Sequence, residues 1–162
     1  MYRIGDDWAS NKISIATEHV ASNVAQTLVK IIMDKENGIA TKKKIMICVP
    51  IGEEHHLGCD IIQTYLTSKG YKVFNMRTSM PTESLLGFID NNNPDIIMIS
   101  ITLEDNLKAG KRLVKKIKER FNMPIIVGGY AFTNEFTPKF DAGVFKKPSL
   151  DELPKIIRTA VS

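Results

Sequence analysis

Apolar positions along this chain follow two different periods. From about Ser14 to Glu36, the residues Ile15, Val20, Val24, Leu28, Ile31 and Ile32, joined by Ala16, Ala21 and Ala25, recur mostly at three- and four-residue intervals. That spacing predicts one long helix, stopped by Gly38. Ile13, Val29 and Met33 widen its apolar stripe beyond what one neighbour covers. The helix therefore needs a further surface, from other helices or from a second copy of the chain. Ahead of it, Asp6-Asp7 can cap a short helical piece carrying Trp8.

Beyond the charged linker Ala40-Thr41-Lys42-Lys43-Lys44, short apolar runs alternate with amphipathic segments. Strands are expected at Lys44 to Val49, Tyr71 to Asn75, Asp95 to Ser100, Pro124 to Val127 and Gly143 to Phe145. Helices are expected at Leu57 to Ser68, Thr82 to Asp90, Leu103 or Glu104 to Arg120, and Leu150 to Val161, with a turn at Asn91-Asn92-Asn93-Pro94. The run Ile96-Ile97-Met98-Ile99 is apolar at every position, as in a strand covered on both faces. The fold class is α/β: a doubly wound, five-stranded parallel sheet of flavodoxin-like or Rossmann-like order 2-1-3-4-5.

With 162 residues the chain holds one ordinary domain plus a helical extension. Its 22 Lys+Arg against 18 Asp+Glu leave a formal charge of +4, too small to imply nucleic-acid binding. The basic residues Lys108, Lys111, Arg112, Lys115, Lys116, Lys118 and Arg120 share a helix with Leu107, Leu113, Val114 and Ile117 and read as its solvated face. Cys48 and Cys59 lack a Cys-x-x-Cys spacing and read as reduced, buried thiols. No run approaches the roughly 18 apolar residues of a membrane span, and Met-Tyr-Arg-Ile-Gly-Asp-Asp lacks the basic-then-apolar order of a signal peptide. A soluble, cytoplasmic protein is expected.

The chemistry concentrates at Gly52-Glu53-Glu54-His55-His56-Leu57-Gly58, directly behind the first strand. Open α/β sheets bind ligands at such strand ends. The spacing Glu-x-His-x-x-Gly puts Glu53, His55 and Gly58 in one loop entering one helix. A ligating His directs its second ring nitrogen to an acceptor, and Glu53 can serve if the loop folds back. No Gly-x-Gly-x-x-Gly or phosphate-loop pattern follows any strand. A response-regulator receiver would need an acidic cluster after Ile47-Cys48-Val49, which is absent. A zinc hydrolase built on His55, His56 and Glu53 would need a further ligand, for which Asp60 is the near candidate.

These residues resemble the cobalamin-binding domains of corrinoid methyl carriers, methionine synthases, mutases and, most closely, light-sensing cobalamin-dependent repressors. The family's three motifs stand here as Glu53-Glu54-His55-His56-Leu57-Gly58, Ser100-Ile101-Thr102-Leu103 and Gly128-Gly129, the last followed by Tyr130. The resemblance implies adenosylcobalamin or methylcobalamin as cofactor, held with its own base displaced. It makes His55 the lower axial ligand to cobalt, with Gly52, His56, Leu57 and Leu103 beside it. Ser100 and Thr102 would hydrogen-bond the nucleotide tail, and Gly128-Gly129 would let its base pass close to the backbone.

The repressors also carry a Trp, nine residues, then Glu-His in the helices covering the cofactor's upper face, matched here by Trp8 and Glu18-His19. Residues 1–39 would then be a partial helical cap and 40–162 the cobalamin-binding domain. The winged-helix domain and the first cap helices have no counterpart in this sequence, so direct nucleic-acid binding is not expected. Where the light sensors place a second cobalt-binding His after the Trp, this chain has Ala9. No residue set supplies a transferase or mutase substrate pocket. A sensor or regulatory module is the first expectation, and a corrinoid carrier partnered by a methyltransferase the second.

Overall fold

The computed structural model describes residues 7, 10–33, 43–133, 138–146 and 149–161, with parts of the helix at 15–33, Glu18 and His19 included, described as backbone alone. Trp8 and Ala9 lie outside the described residues. The first helix, α1, runs Ile15–Met33. Its start is capped by Ser14, whose Oγ accepts the Thr17 N–H at 3.1 Å.

Five strands follow: β1 (Lys44–Cys48), β2 (Lys72–Asn75), β3 (Ile96–Ser100), β4 (Ile125–Gly128) and β5 (Gly143–Phe145). They form one sheet in the order β2-β1-β3-β4-β5, every neighbouring pair parallel. The connecting helices are α2 (Leu57–Ser68), α3 (Thr82–Asn92), α4 (Leu107–Lys118) and α5 (Leu153–Ala160). Short 3-10 turns at Glu104–Asn106 and Leu150–Glu152 lead into α4 and α5.

Side-chain alternation along the strands builds two cores. Met46, Cys48, Ile97, Ile99 and Val127 meet Leu85, Leu86 and Ile89 of α3 and Leu113, Val114 and Ile117 of α4. Ile45, Ile47, Ile96, Met98 and Ile126 meet Cys59, Tyr65 and Leu66 of α2 and Leu153 and Ile157 of α5. Both faces of β1 and β3 are covered, which is why those strands read as continuous apolar runs. Asp95 fixes the start of the central pair: its Oδ2 accepts the Lys44 N–H at 2.6 Å and its Oδ1 lies 3.3 Å from Lys43 Nζ. The expected turn at 91–94 is shorter than the sequence suggests. The helix α3 continues to Asn92, and Asn93 ends it in the left-handed region at φ 45°, a conformation that Asn tolerates.

Helix α1 packs on α2, yet Val20, Val24, Leu28 and Ile31 stay more than half exposed. The wide stripe expected from the sequence is therefore only partly covered. Among the described residues, no helix is long and apolar enough to cross a membrane.

Candidate functional site

From β1 the chain continues to β2 on one side, while β3 pairs on the other side. A crevice opens where the order reverses, above the C-terminal ends of β1 and β3. The β1–α2 loop enters it through a tight turn. Gly52 sits at φ 86°, where a Cβ is disfavoured, and the Glu53 N–H donates to Pro50 O at 3.1 Å.

That turn sends Glu53 inward. Its residue exposure is 0%, and its carboxylate joins two loops. Oε2 accepts the backbone N–H groups of Thr102 (2.9 Å) and Leu103 (3.1 Å) and the Asn106 side-chain Nδ2 (3.0 Å). Oε1 accepts the His55 backbone N–H at 3.1 Å and lies 2.7 Å from His55 Nδ1. The loop thus folds back as the Glu-x-His reading requires. Burial pushes the Glu53 carboxyl up, but the donors from Asn106, Leu103, Thr102 and His55 outweigh it and hold the group below its ordinary value.

A carboxylate accepts from Nδ1–H, so this geometry selects the tautomer with the lone pair on Nε2. The His55 side chain is 45% exposed, so the ring is open to a ligand while its Nδ1 is engaged. His56 is placed differently. It occupies the position before α2, and its Nδ1 lies 3.1 Å from Glu54 O in a local contact.

Ile51, Leu103 and Tyr130, on the segments that follow β1, β3 and β4, are all exposed large side chains at the same end of the sheet. An apolar rim at strand ends suits a broad, flat ligand. Beside it a channel of about 490 Å³ descends between the sheet and helices α2 and α5. Leu57, Gly58, Ser100, Thr102, Gly128, Gly129 and Tyr130, all expected from the sequence, line it. A Cβ at Gly58 would meet nothing within 4 Å, so the first turn of α2 is open. Gly129 has a different reason to be glycine: at φ 124° an added Cβ would fall 2.2 Å from Ile101 O. Its smallness serves the protein's own backbone before any ligand. The Ser100 hydroxyl is engaged with Cys59, whose thiol burial pushes up to about 12.

Of the residues expected at the site, Gly52, Glu53, His55, Leu57, Gly58, Ser100, Thr102, Leu103, Gly128, Gly129 and Tyr130 surround one crevice, and His56 stands at its edge. Trp8 lies outside the described residues, and Glu18 and His19 are described only as helical backbone. Asn106 was not anticipated. The signal was a polar residue just ahead of α4, but nothing in its spacing ties it to Glu53. Asp60 offers no further ligand for a zinc site. It is buried, accepts from Asn75 Nδ2 at 2.8 Å and pairs with Arg77 Nε at 3.0 Å. Among the described residues no three His, Cys, Asp or Glu side chains are grouped to hold a metal. A wider groove of about 1290 Å³ runs along β5 and α5, reaching Pro124 and Gly143 and sharing Ile126, Phe145 and Ile156 with the channel.

The site therefore pairs a single oriented imidazole with an apolar rim and a deep side channel, the arrangement of a corrinoid-binding domain. The B12 binding domain family matches residues 43–147, and the chain belongs to that family. It is similar to the methanol–corrinoid protein of Methanosarcina barkeri, 28% identical over 126 residues that cover 75% of this chain and 48% of the relative. It is also similar to the HTH-type transcriptional repressor CarA of Myxococcus xanthus, 21% identical over 149 residues covering 90% of this chain and 51% of the repressor. The chain thus spans about half the length of these two relatives. Among solved structures, the monomethylamine corrinoid protein of Methanosarcina barkeri superposes with a TM-score of 0.75 at 15% identity, over 94% of this chain and 74% of the other. That likeness shares the flavodoxin-like fold.

Proposed function

We propose that this chain holds a cobamide with His55 Nε2 as the protein's ligand to cobalt, the cofactor's own base displaced into the channel, and serves as a corrinoid carrier for a methyltransferase. The observation that carries this reading is the Glu53–His55 contact of 2.7 Å, which engages Nδ1 and leaves Nε2 for a ligand, in the loop that leads into Leu57 and Gly58 on the wall of a channel of about 490 Å³. The residues fit the group: one imidazole oriented by a carboxylate, exposed apolar side chains for the ring, and hydroxyls of Ser100, Thr102 and Tyr130 at the channel mouth. When bound, the cobalt centre supplies a site that accepts and releases one-carbon groups.

The protein's own part is positional. Glu53 fixes the His55 tautomer and ring orientation, and the N–H groups of Thr102 and Leu103 with Asn106 fix Glu53. Gly58 leaves the entrance open, while Ile51, Leu103 and Tyr130 offer apolar surface that a bound ring would cover. Carrier is favoured over sensor because identity is higher to the methanol–corrinoid protein than to the repressor, and because Ala9 cannot ligate metal. The sensor reading retains one argument, the Trp8 and Glu18-His19 spacing.

The discriminating experiment loads the protein with adenosylcobalamin in the dark and measures its mass by light scattering before and after illumination. A carrier keeps its mass when light removes the adenosyl group, and both the adenosyl form and its photoproduct show the spectra of base-displaced, histidine-ligated corrinoids. A light-driven change of assembly supports the sensor instead, and a free-cofactor spectrum after gel filtration contradicts both.

A further inference from the structure

The channel beside His55 changes character with depth. Ser100, Thr102 and Tyr130 stand at its mouth, at or beyond the C-terminal ends of β3 and β4. Side chains two apart on a strand share a face, so the next positions down are Met98 and Ile126, which are register partners. Ile47 joins them from β1, Ile61 and Ile62 from α2, and Leu153 and Ile156 from α5. Among the described residues no acidic, basic, amide or imidazole side chain lines the channel. Ser149, the hydroxyl on the α5 side, already accepts the Glu152 N–H in a capping box.

We infer that this channel selects cobamides by the polarity of their lower base: it takes benzimidazole-type or phenolic bases and discriminates against adenine-type ones. The inference rests on the reading of His55 and the channel given above. An adenine entering as far as Met98 and Ile126 gives up water at its exocyclic amine and ring nitrogens, and the side chains there replace none of those hydrogen bonds. A buried polar group left unpaired lowers affinity by about tenfold or more. A dimethylbenzimidazole presents methyl groups to the same surface and gains from their burial.

The test is equilibrium binding of three cobamides that share one corrin ring and one upper ligand and carry 5,6-dimethylbenzimidazole, p-cresol or adenine as base. The cresol form has no ring nitrogen to hold cobalt, so it separates base polarity from the cost of displacing the base. The first two are expected to bind at least about tenfold tighter than the third. The Ile156→Gln variant, altered at a half-buried wall position away from His55, is expected to narrow that ratio by raising adeninyl affinity. Equal binding of all three by the unmodified protein overturns the inference while leaving cobamide binding intact. A cresolyl form as weak as the adeninyl form, or an unchanged ratio in a folded Ile156→Gln protein, overturns it also. Failure of every cobamide to bind removes the functional reading and the inference together. The ratio in the unmodified protein decides the matter even where Ile156→Gln does not fold.

Discussion

His55 and Glu53 behave as one unit. The carboxylate is fully buried and bonded by donors from two loops, so changing it disturbs both the β1–α2 and the β3–α4 connections. In Glu53→Gln one oxygen becomes an NH2 group facing other donors. That substitution is expected to lower stability by about 2 kcal/mol in urea titrations, since charge-assisted hydrogen bonds are lost. Cobamide affinity is expected to fall by about 10- to 100-fold, the usual consequence of removing a ligand's orienting partner. His55→Ala removes the ligand outright and is expected to abolish the histidine-ligated spectrum. His56→Ala, whose ring Nδ1 lies 3.1 Å from Glu54 O in a local contact, is expected to change it little. Equal effects of the two histidine variants would show that the Glu-x-His-x-x-Gly register is misassigned. This pair was legible in the sequence through the resemblance of Glu53-x-His55-x-x-Gly58 to the motif of cobalamin-binding domains, since spacing alone required the loop to fold back before the two could meet. Asn106 was not, because its contact with Glu53 bridges 53 positions and depends on the 3-10 turn before α4.

Glycines separate elements that serve the fold from those that serve the ligand. Gly129→Ala would put a Cβ against the Ile101 carbonyl at a positive φ, and it is expected to cost about 2 kcal/mol or more of unfolding free energy. Gly58→Ala meets no protein atom and lies in the first turn of α2. It is expected to leave stability unchanged or raise it by up to about 1 kcal/mol, while weakening cobamide binding because the methyl enters the channel mouth. Urea titration and equilibrium binding on the two variants should give opposite rankings. The strands and α2 were predictable because two-sided burial leaves continuous apolar runs and Gly-terminated amphipathic ones. Ends of helices were less so. Helix α3 outlasts its apolar pattern by using Asn93 as a left-handed stop, and α4 begins after a 3-10 turn that hydrophobic periodicity does not register. The apolar face of α1 was read correctly as wider than one neighbour covers, and α2 covers only part of it.

For the whole molecule, Glu53 links acid stability to the integrity of the site. Its carboxyl titrates below its ordinary value in the folded state, so the unfolded chain binds that proton more readily. Its contribution is complete above the ordinary carboxylate value of about 4.3 and disappears as pH falls through the lowered folded value. Asp95, held down by the Lys44 N–H and by Lys43 against the opposing effect of burial, acts in the same direction. Stability is therefore expected to fall on acidification below the ordinary range, and Glu53→Gln to flatten that acid limb in pH-dependent urea titrations. An unaltered limb would mean that the carboxylate network contributes little to folding. The sheet order places Glu53 and the channel at the C-terminal ends of β1 and β3, whereas Asp95 lies at the opposite end of the same two strands, so the two carboxylates act on folding independently.

The most direct measurement is electron paramagnetic resonance of the cobalt(II) cobamide bound to protein labelled with 15N-histidine. Axial ligation by a labelled imidazole splits the cobalt lines into doublets, and the account predicts those doublets in the unmodified protein and their loss in His55→Ala. Triplets from the 14N of the cofactor's own base, or lines without nitrogen splitting, would contradict it.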